Sequence, residues 1–569
     1  MCSINFIATR INHDLETPIK KMSQVSLSRG PDEQSTICKK NWALAFNRLS
    51  IVGRKKGSQP IYNEDKSLVL ICNGEIFNYK EIKKRFLSDH VFTTTSDTEV
   101  ILHLYEKYKE KCLSFFEGQF AFIIYDLKRE KVFAARDKFG ILPLFIHKGN
   151  GVLVISSSIF SIIASGMVKN KELNESAIAD IFFFYGPRGT KTILKDVFQI
   201  PPASYIYISI DSIFKPIRYW NFSGNKEETI SLKEAIFSSV NKRIDKKEFG
   251  VYVSGGIDSA IVALAACKVS SIKPQLFSIS FFDKEFDESK YQRMIADKLG
   301  CELKQVVITN SKIINNFKKS IIFLESPISR LAPIPLILLS RAVRREGIKV
   351  VLCGEGADEL FLGYPIFEKN QSSYEAKWAE NLRYLTLFKN RSIQQFVKGE
   401  KKLIDQQFGS VNSFSSLRNK EIITKLSSYL LASQGDRVSM ANSVEQRFPY
   451  LDEQVWNLAT SLKNSDIFDN EGGKAILRKE FIDDLPLQII KRKKQGYLAP
   501  DTQVLIEILK KKEFTNLLRK EAIELTNMFN PKRVEEIIEN VKKNHDKQDV
   551  SALILVLSTQ MIFRIIEKL

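Results

Sequence analysis

Ser254-Gly255-Gly256-Ile257-Asp258-Ser259 follows a short apolar stretch, Gly250–Val253, and leads into a helix-compatible run, Ser259–Val269. Two glycines let backbone amides approach an anion closely, the serines add donors, and the following helix offers its positive N-terminus. Asp258 supplies a hard oxygen ligand of the kind that holds the Mg²⁺ accompanying phosphates. A plain glycine turn with Asp258 and Ser259 as helix caps would use the same residues. The five fixed residues, however, occur by chance in on the order of one chain in a thousand. A Walker loop is a different device, needing a Gly-Lys-Ser/Thr that is absent here.

Working outward, Gln275–Phe281, Glu302–Ile308 and Lys349–Leu352 read as further strands, and Glu288–Leu299 as a helix ended by Gly300. Strands alternating with helices predict a parallel α/β sheet, with ligands beyond the carboxyl ends of the strands. A second loop at such an end reads Cys353-Gly354-Glu355-Gly356-Ala357-Asp358-Glu359-Leu360-Phe361. Three carboxylates there are costly unless a cation offsets them. Two such loops on neighbouring strands predict an Mg–nucleotide site. Residues after about 370 read as mainly helical.

The first two hundred residues read instead as strands and hairpins, with Phe120–Asp126 turning into Val132–Ala135 and Leu144–His147 into Val152–Ser156. Pro201-Pro202 and then Ser223-Gly224-Asn225-Lys226-Glu227-Glu228 punctuate a junction, which puts the domain boundary near residue 220. A chain of 569 residues exceeds one core, so two large domains are expected, 1–220 and 221–569.

Composition narrows the class further. Hydrophobic residues make up 44% and charged residues 27%, which excludes a wholly disordered chain. The most apolar stretch, Ala552–Ile566, is interrupted by Ser558, Thr559, Gln560 and Arg564, so no membrane span is expected. Seven scattered cysteines without a C-x-x-C pair, and no signal-peptide pattern, fit a reducing cytoplasm. Five histidines, His13, His90, His103, His147 and His545, show no helix-face metal spacing, so a histidine zinc centre is not expected. The balance of 85 basic to 66 acidic residues suits nucleic acid, an anionic substrate or a lysine-rich surface.

The paired loops resemble those of pyrophosphate-loop ATP enzymes, specifically the glutamine-hydrolysing asparagine synthetase family. The long segment from Asp436 to Asp452 resembles that family's signature, as do Lys474-Ala475-Ile476-Leu477-Arg478 and Arg492-Lys493-Lys494-Gln495-Gly496-Tyr497. Matches run in the family's order from residue 2 to about 500. The N-terminal half resembles its class II glutaminase: Met1-Cys2, Arg48-Leu49-Ser50-Ile51-Val52, Asn73-Gly74-Glu75-Ile76-Phe77-Asn78 and Ser96-Asp97-Thr98-Glu99. The resemblance implies an αββα N-terminal-nucleophile sandwich followed by the pyrophosphate-loop domain.

It also implies roles. Cys2, exposed by methionine removal, would be the nucleophile, its own α-amine (pKa ~7.7–8) serving as base. Arg48 suits the α-carboxylate of glutamine and Asp97 with Glu75 its α-ammonium, while Leu49, Ser50, Ile51 and Val52 complete the pocket. The Asn73 side chain and Gly74 amide would form the oxyanion hole. Ser254, Gly255, Gly256, Asp258 and Ser259 would cradle ATP, with Ile279, Cys353 and Gly354 at the adenosine. Asp258 and Asp358 would hold Mg²⁺, Lys494 would offset phosphoryl charge, and Glu355 would deprotonate ammonia.

The expected partners are glutamine and a small carboxylic acid, not nucleic acid, and a homodimer is among the assemblies the resemblance allows. Aspartate leads as acceptor, a sugar uronate or natural-product acid is the alternative, and a tRNA-modifying enzyme ranks below both. Ser3 and Ser28 depart from the family's usual glycine and histidine. Glu325–Pro335 departs more, and Glu325 is the expected partner of an aspartate ammonium, with Arg330 on a carboxylate.

Overall fold

The computed structural model describes residues 2–569 apart from 12–13, 55, 223–227, 245–247, 368–377, 379 and 409–413. Met1, His13 and most of the expected junction segment therefore lie outside the described residues.

Five parallel strands, Leu303–Ile308, Gln275–Phe281, Gly250–Tyr252, Val350–Leu352 and Glu445–Arg447, form one sheet in that spatial order. The chain steps outward from Gly250–Tyr252 to Leu303–Ile308, then returns to lay Val350–Leu352 on the other side of its starting strand. That reversal is a topological switch point, where diverging connections leave a crevice. Both candidate loops begin there, because Val251 pairs with Leu352. The helix Ile257–Val269 behind the first loop is buried from Ile257 to Ala266, and its alanines let neighbours approach closely. Gly300 ends the next helix, Ser289–Leu299, in the left-handed region.

The N-terminal half holds two six-stranded sheets packed face to face. Strand alternation explains the layers. Val69 and Ile71, with Ala121, Ile123 and Tyr125, point into the sandwich, where the Tyr125 and Phe6 rings lie 5.0 Å apart. Leu70, Cys72, Phe120, Phe122 and Ile124 point the other way, onto the helices Tyr79–Phe86 and Glu99–Tyr108. Glu16–Val25 and Ile159–Ala164 cover the opposite sheet. The layers are αββα, with helices that the hairpin reading of this half did not anticipate.

Lys547–Ile566 is long and apolar enough to cross a membrane by length and composition, yet 78% of its most apolar window is buried inside the protein. It packs on Asn310–Leu324, Asp501–Ile508 and Pro531–Asn544, which marks a core helix. Ser558 Oγ donates to Ile328 O at 2.9 Å and accepts from Ile328 N at 3.0 Å, and Asp501 Oδ1 accepts from Leu331 N at 3.0 Å. Residues 501–569, featureless as sequence, thus brace the Glu325–Pro335 segment.

Candidate functional site

Cys2 is buried at the head of the strand Ser3–Thr9, and its backbone N–H donates to Asn73 Oδ1 at 2.8 Å. That bond uses only half of the Asn73 amide. Its Nδ2 is buried with no hydrogen-bond partner among the described residues. An unmade buried donor costs about 1–3 kcal/mol, which an incoming acceptor relieves. Next to it Gly74 has φ +146°, and a Cβ there would come within 2.2 Å of Gln119 O, so only glycine fits. Burial pushes the Cys2 thiol up, while the Leu49 N–H and Arg48 pull it down.

Arg48 closes the strand Trp42–Arg48, and the following residues wrap its buried guanidinium. Nη1 meets Glu33 Oε2 at 2.9 Å and Nη2 donates to Gly53 O at 2.8 Å and Val52 O at 3.3 Å. Leu49 and Ile51 are buried beside it, whereas Ser50 and Val52 are half-buried. Asp97 Oδ2 accepts from Ile76 N at 2.7 Å, and burial raises its carboxyl to about 6. Burial also pushes Glu75 well up, although it is ion-paired with Arg447. Two carboxyls raised by desolvation are a ready place for an ammonium.

The second constellation lines a cavity of about 400 Å³ at the switch point. All the expected nucleotide residues except Gly255 are on its wall, together with Glu355, Asp358 and Lys494. Gly255 instead shapes the turn, at φ +87°, and Arg492 pins it by donating to its carbonyl at 2.9 Å. Ser259 Oγ accepts from Ser254 N at 3.1 Å, so the loop is organised before any ligand arrives. The helix begins at Ile257 behind Gly256 without a side-chain cap, which leaves Asp258 and Ser259 free of the capping role.

Two aspartates face one another across two lysines. Lys474 Nζ lies 2.6 Å from Asp258 Oδ2 and 2.5 Å from Asp358 Oδ1, and Lys494 pairs with Asp358. Burial opposes ionisation of Asp358, yet the two ammoniums hold it down to about 2. Glu355 is pushed up to about 7, by burial first and then by the neighbouring aspartates. Asp258 Oδ1 is buried without a hydrogen-bond partner among the described residues, and an all-oxygen carboxylate pair fits a hard cation such as Mg²⁺. Gly363 leaves room for this crowding, since a Cβ there would come within 2.1 Å of Lys474 Cε and displace the lysine from the aspartates.

The two sites touch through a charged seam. Arg29 donates from Nε to Cys2 O at 3.2 Å and grips Asp436 with Nη1 and Nη2 at 2.7 and 2.8 Å. Arg447, at the end of the last strand of the parallel sheet, reaches Glu75 while its Nε donates to Glu445 Oε1 at 2.7 Å. Asp436 closes a second wide-turned helical stretch, Ala432–Asp436, after Ile422–Leu430. Such π turns are rare and cluster at functional sites. A small cavity of about 40 Å³ lies along the seam beside Asp436 and Arg437, enough for a water-sized molecule. Tyr185 lines both it and the large cavity.

One expectation changes. Glu325 is not in the large cavity: at φ 48° its carboxylate turns to the N-terminal half, accepting from Ile159 N at 2.7 Å and Ser158 Oγ at 2.5 Å. It caps the Ile159–Ala164 helix, so it does not stand ready for an acceptor ammonium. Arg330 does line the cavity, over the Tyr185 ring at 5.1 Å. Lys474, quoted within a motif but given no role, is the cation between both aspartates. Its φ of 69° puts it in the left-handed region, a constraint no residue pattern advertises.

The chain matches the Asparagine synthase family over residues 231–564 and the Glutamine amidotransferase domain over residues 1–220. It is 29% identical over 540 residues to asparagine synthetase [glutamine-hydrolyzing] 1 of Bacillus subtilis (strain 168), covering 86% of this chain and 84% of that one. It is 28% identical over 520 residues to asparagine synthetase [glutamine-hydrolyzing] 3 of the same organism, covering 84% and 83%. It is also 32% identical over 392 residues to asparagine synthetase [glutamine-hydrolyzing] 2 of Oryza sativa subsp. japonica, covering 65% and 61%. With a thiol site and a paired-aspartate cavity joined by one seam, and a family match spanning more than half of its length, the chain belongs to the asparagine synthase family.

Proposed function

We propose that the protein is a glutamine-dependent, ATP-consuming ligase that converts aspartate to asparagine, with residues 1–220 as glutaminase and 221–569 as synthetase. The observation that carries the reading is the divided Asn73 amide, one end fixing Cys2 and the other an unmade donor where an oxyanion would form.

The Cys2 thiolate attacks the amide carbon of glutamine, and its α-amine, free once methionine is removed, shuttles the proton. Arg48 holds the substrate carboxylate, and Asp97 and Glu75 its ammonium. Asn73 Nδ2 and the Gly74 N–H stabilise the oxyanion. Ammonia leaves, and water then releases glutamate from the thioester. The small cavity along the Arg29–Asp436 seam, continued at Tyr185, is the protected route for ammonia, which in water would become a non-nucleophilic ammonium.

In the large cavity a carboxylate oxygen of aspartate attacks the α-phosphorus of ATP, forming an acyl-adenylate and releasing pyrophosphate. The Ser254–Ser259 loop receives the pyrophosphate, and Lys494 and Lys474 offset its charge. Asp258 and Asp358 are the residues that would hold Mg²⁺, which when bound neutralises phosphate charge. Glu355 takes a proton as ammonia attacks the acyl carbon and AMP departs. Among carboxylic acids offered with ATP, aspartate is expected to give the fastest pyrophosphate release. Preference for a uronate would overturn the acceptor and keep the ligase.

The Glu355 carboxyl at about 7 makes a further prediction. A base works deprotonated, so synthesis at constant free NH₃ should rise as pH passes through about 7 and level off above it. Glu355→Gln should be slower by about 10²–10⁴-fold and should lose that inflection. Retention of the inflection in the variant would assign it to another group.

A further inference from the structure

Away from both sites, Glu64, His90, His103 and Glu106 each offer one ligand atom, and these four atoms all lie within 4.8 Å of one another. His103 Nδ1 lies 3.3 Å from Glu106 Oε2 and 3.7 Å from Glu64 Oε1, and His90 Nδ1 lies 3.6 Å from the same Glu64 oxygen. Only the first separation is a hydrogen bond; the others are too long. They are instead close to the spacing of neighbouring ligands on one tetrahedral ion, roughly 3.3–3.5 Å for metal–ligand bonds of ~2.0–2.1 Å.

The surroundings are arranged for such an ion. His103 is buried on the helix Glu99–Tyr108, and its far nitrogen, Nε2, lies 3.6 Å from Glu99 Oε1. At that distance Nε2 makes no hydrogen bond among the described residues, so it is free to carry the ring proton when Nδ1 gives up its bond to Glu106 and turns its lone pair to an ion. Glu99 is itself fixed, accepting from Thr93 N at 2.7 Å and Thr94 N at 2.8 Å. Glu106 Oε1 accepts from Asn63 Nδ2 at 2.9 Å, which leaves Oε2 to the cluster. Two neutral imidazoles and two carboxylates carry a charge of −2, matched by one divalent ion.

We infer that Glu64, His90, His103 and Glu106 form a binding site for a divalent transition metal of the Zn²⁺ class. Two imidazole nitrogens argue against Mg²⁺ or Ca²⁺, which take oxygen ligands. The ion would tie three separate stretches together: the turn at Glu64, the loop at His90 and the helix bearing His103. That loop runs on through Thr93 and Thr94 to Asp97, so the metal would brace the glutamine pocket from behind without touching its substrate. The spacing of the two histidines, on a loop and a helix, is why no sequence pattern announced it.

The test uses the full-length protein, stripped with a chelator, dialysed and titrated with Zn²⁺ alone against a chromophoric competitor. Wild type should bind one tight equivalent and gain about 2 °C or more in Tm. His90→Ala and Glu64→Gln lie at the rim and should keep the fold, yet lose at least about 100-fold in affinity together with the Tm gain. Co²⁺ substituted for Zn²⁺ should give a four-coordinate visible spectrum without a thiolate charge-transfer band, which separates this site from the cysteines. Binding no tighter than about 10 µM, equal affinity in wild type and both variants, or a thiolate band would each overturn the assignment.

Discussion

Cys2→Ala should lose glutamine-dependent synthesis by about 10⁴-fold or more while keeping ammonia-dependent synthesis within a few-fold of wild type. The thiol and the paired aspartates occupy different sheets, and the alanine removes only the nucleophile from a position already fixed by Asn73 Oδ1. Exogenous ammonia needs no thiol. Asn73→Ala should be milder, about 10²–10³-fold in glutamine hydrolysis, because it removes one oxyanion donor and leaves the nucleophile. It also removes the acceptor for the Cys2 N–H, so its loss should exceed that from the Gly74 amide alone. Equal damage by Cys2→Ala to both nitrogen sources would contradict two coupled sites.

Asp358→Asn and Asp258→Asn should each cut aspartate-dependent ATP–pyrophosphate exchange by about 10³-fold or more while glutamine hydrolysis persists. Each variant removes one carboxylate from a pair that shares Lys474, leaving that ammonium with a single partner. Asp358 should be the worse of the two, because Lys494 also depends on it for its shortest ion pair. The cavity keeps its shape, since an amide is nearly isosteric with a carboxylate, so the loss would report charge and metal ligation rather than collapse. Wild-type exchange in both variants would remove the metal assignment and leave the pyrophosphate loop to act alone.

The parallel sheet was readable where strands are apolar. Gln275–Phe281 stands in the structure as read, because a run of apolar and β-branched residues between turn residues has few other homes. The fifth strand, Glu445-Gln446-Arg447, was not readable. Its residues are polar yet fully buried, stabilised by Arg447 pairing with Glu445 on its own strand and with Glu75 across the seam, the second a compensation that exists only after folding.

Site chemistry followed the same division. Ser254–Ser259 and the Glu355–Asp358 loop were legible as neighbours because glycines, serines and carboxylates at fixed spacing behind apolar strands mark loops, and the structure brings both loops to one cavity. Glu325 was misplaced because a left-handed φ, invisible in composition, turns its carboxylate to Ser158 and away from the cavity that Arg330 lines. Lys474 was missed because its partners, Asp258 and Asp358, are distant in sequence. The first-half helix Glu16–Val25 did carry a signal, Ile19 and Met22 three apart, but ten mostly polar residues made it faint beside the hairpins.

One measurement bears most directly on the account. Purified protein is given aspartate, ATP, Mg²⁺ and glutamine labelled with ¹⁵N at the side-chain amide, with unlabelled ammonium held below the level that supports synthesis on its own yet well above what glutamine hydrolysis releases, at neutral pH. If nitrogen passes from Cys2 along the Arg29–Asp436 seam to an adenylated aspartate, asparagine should form with its amide predominantly ¹⁵N, alongside equimolar AMP and pyrophosphate. Asparagine carrying mainly unlabelled nitrogen would contradict the internal route, and no asparagine at all, with another acid amidated in its place, would contradict the aspartate assignment.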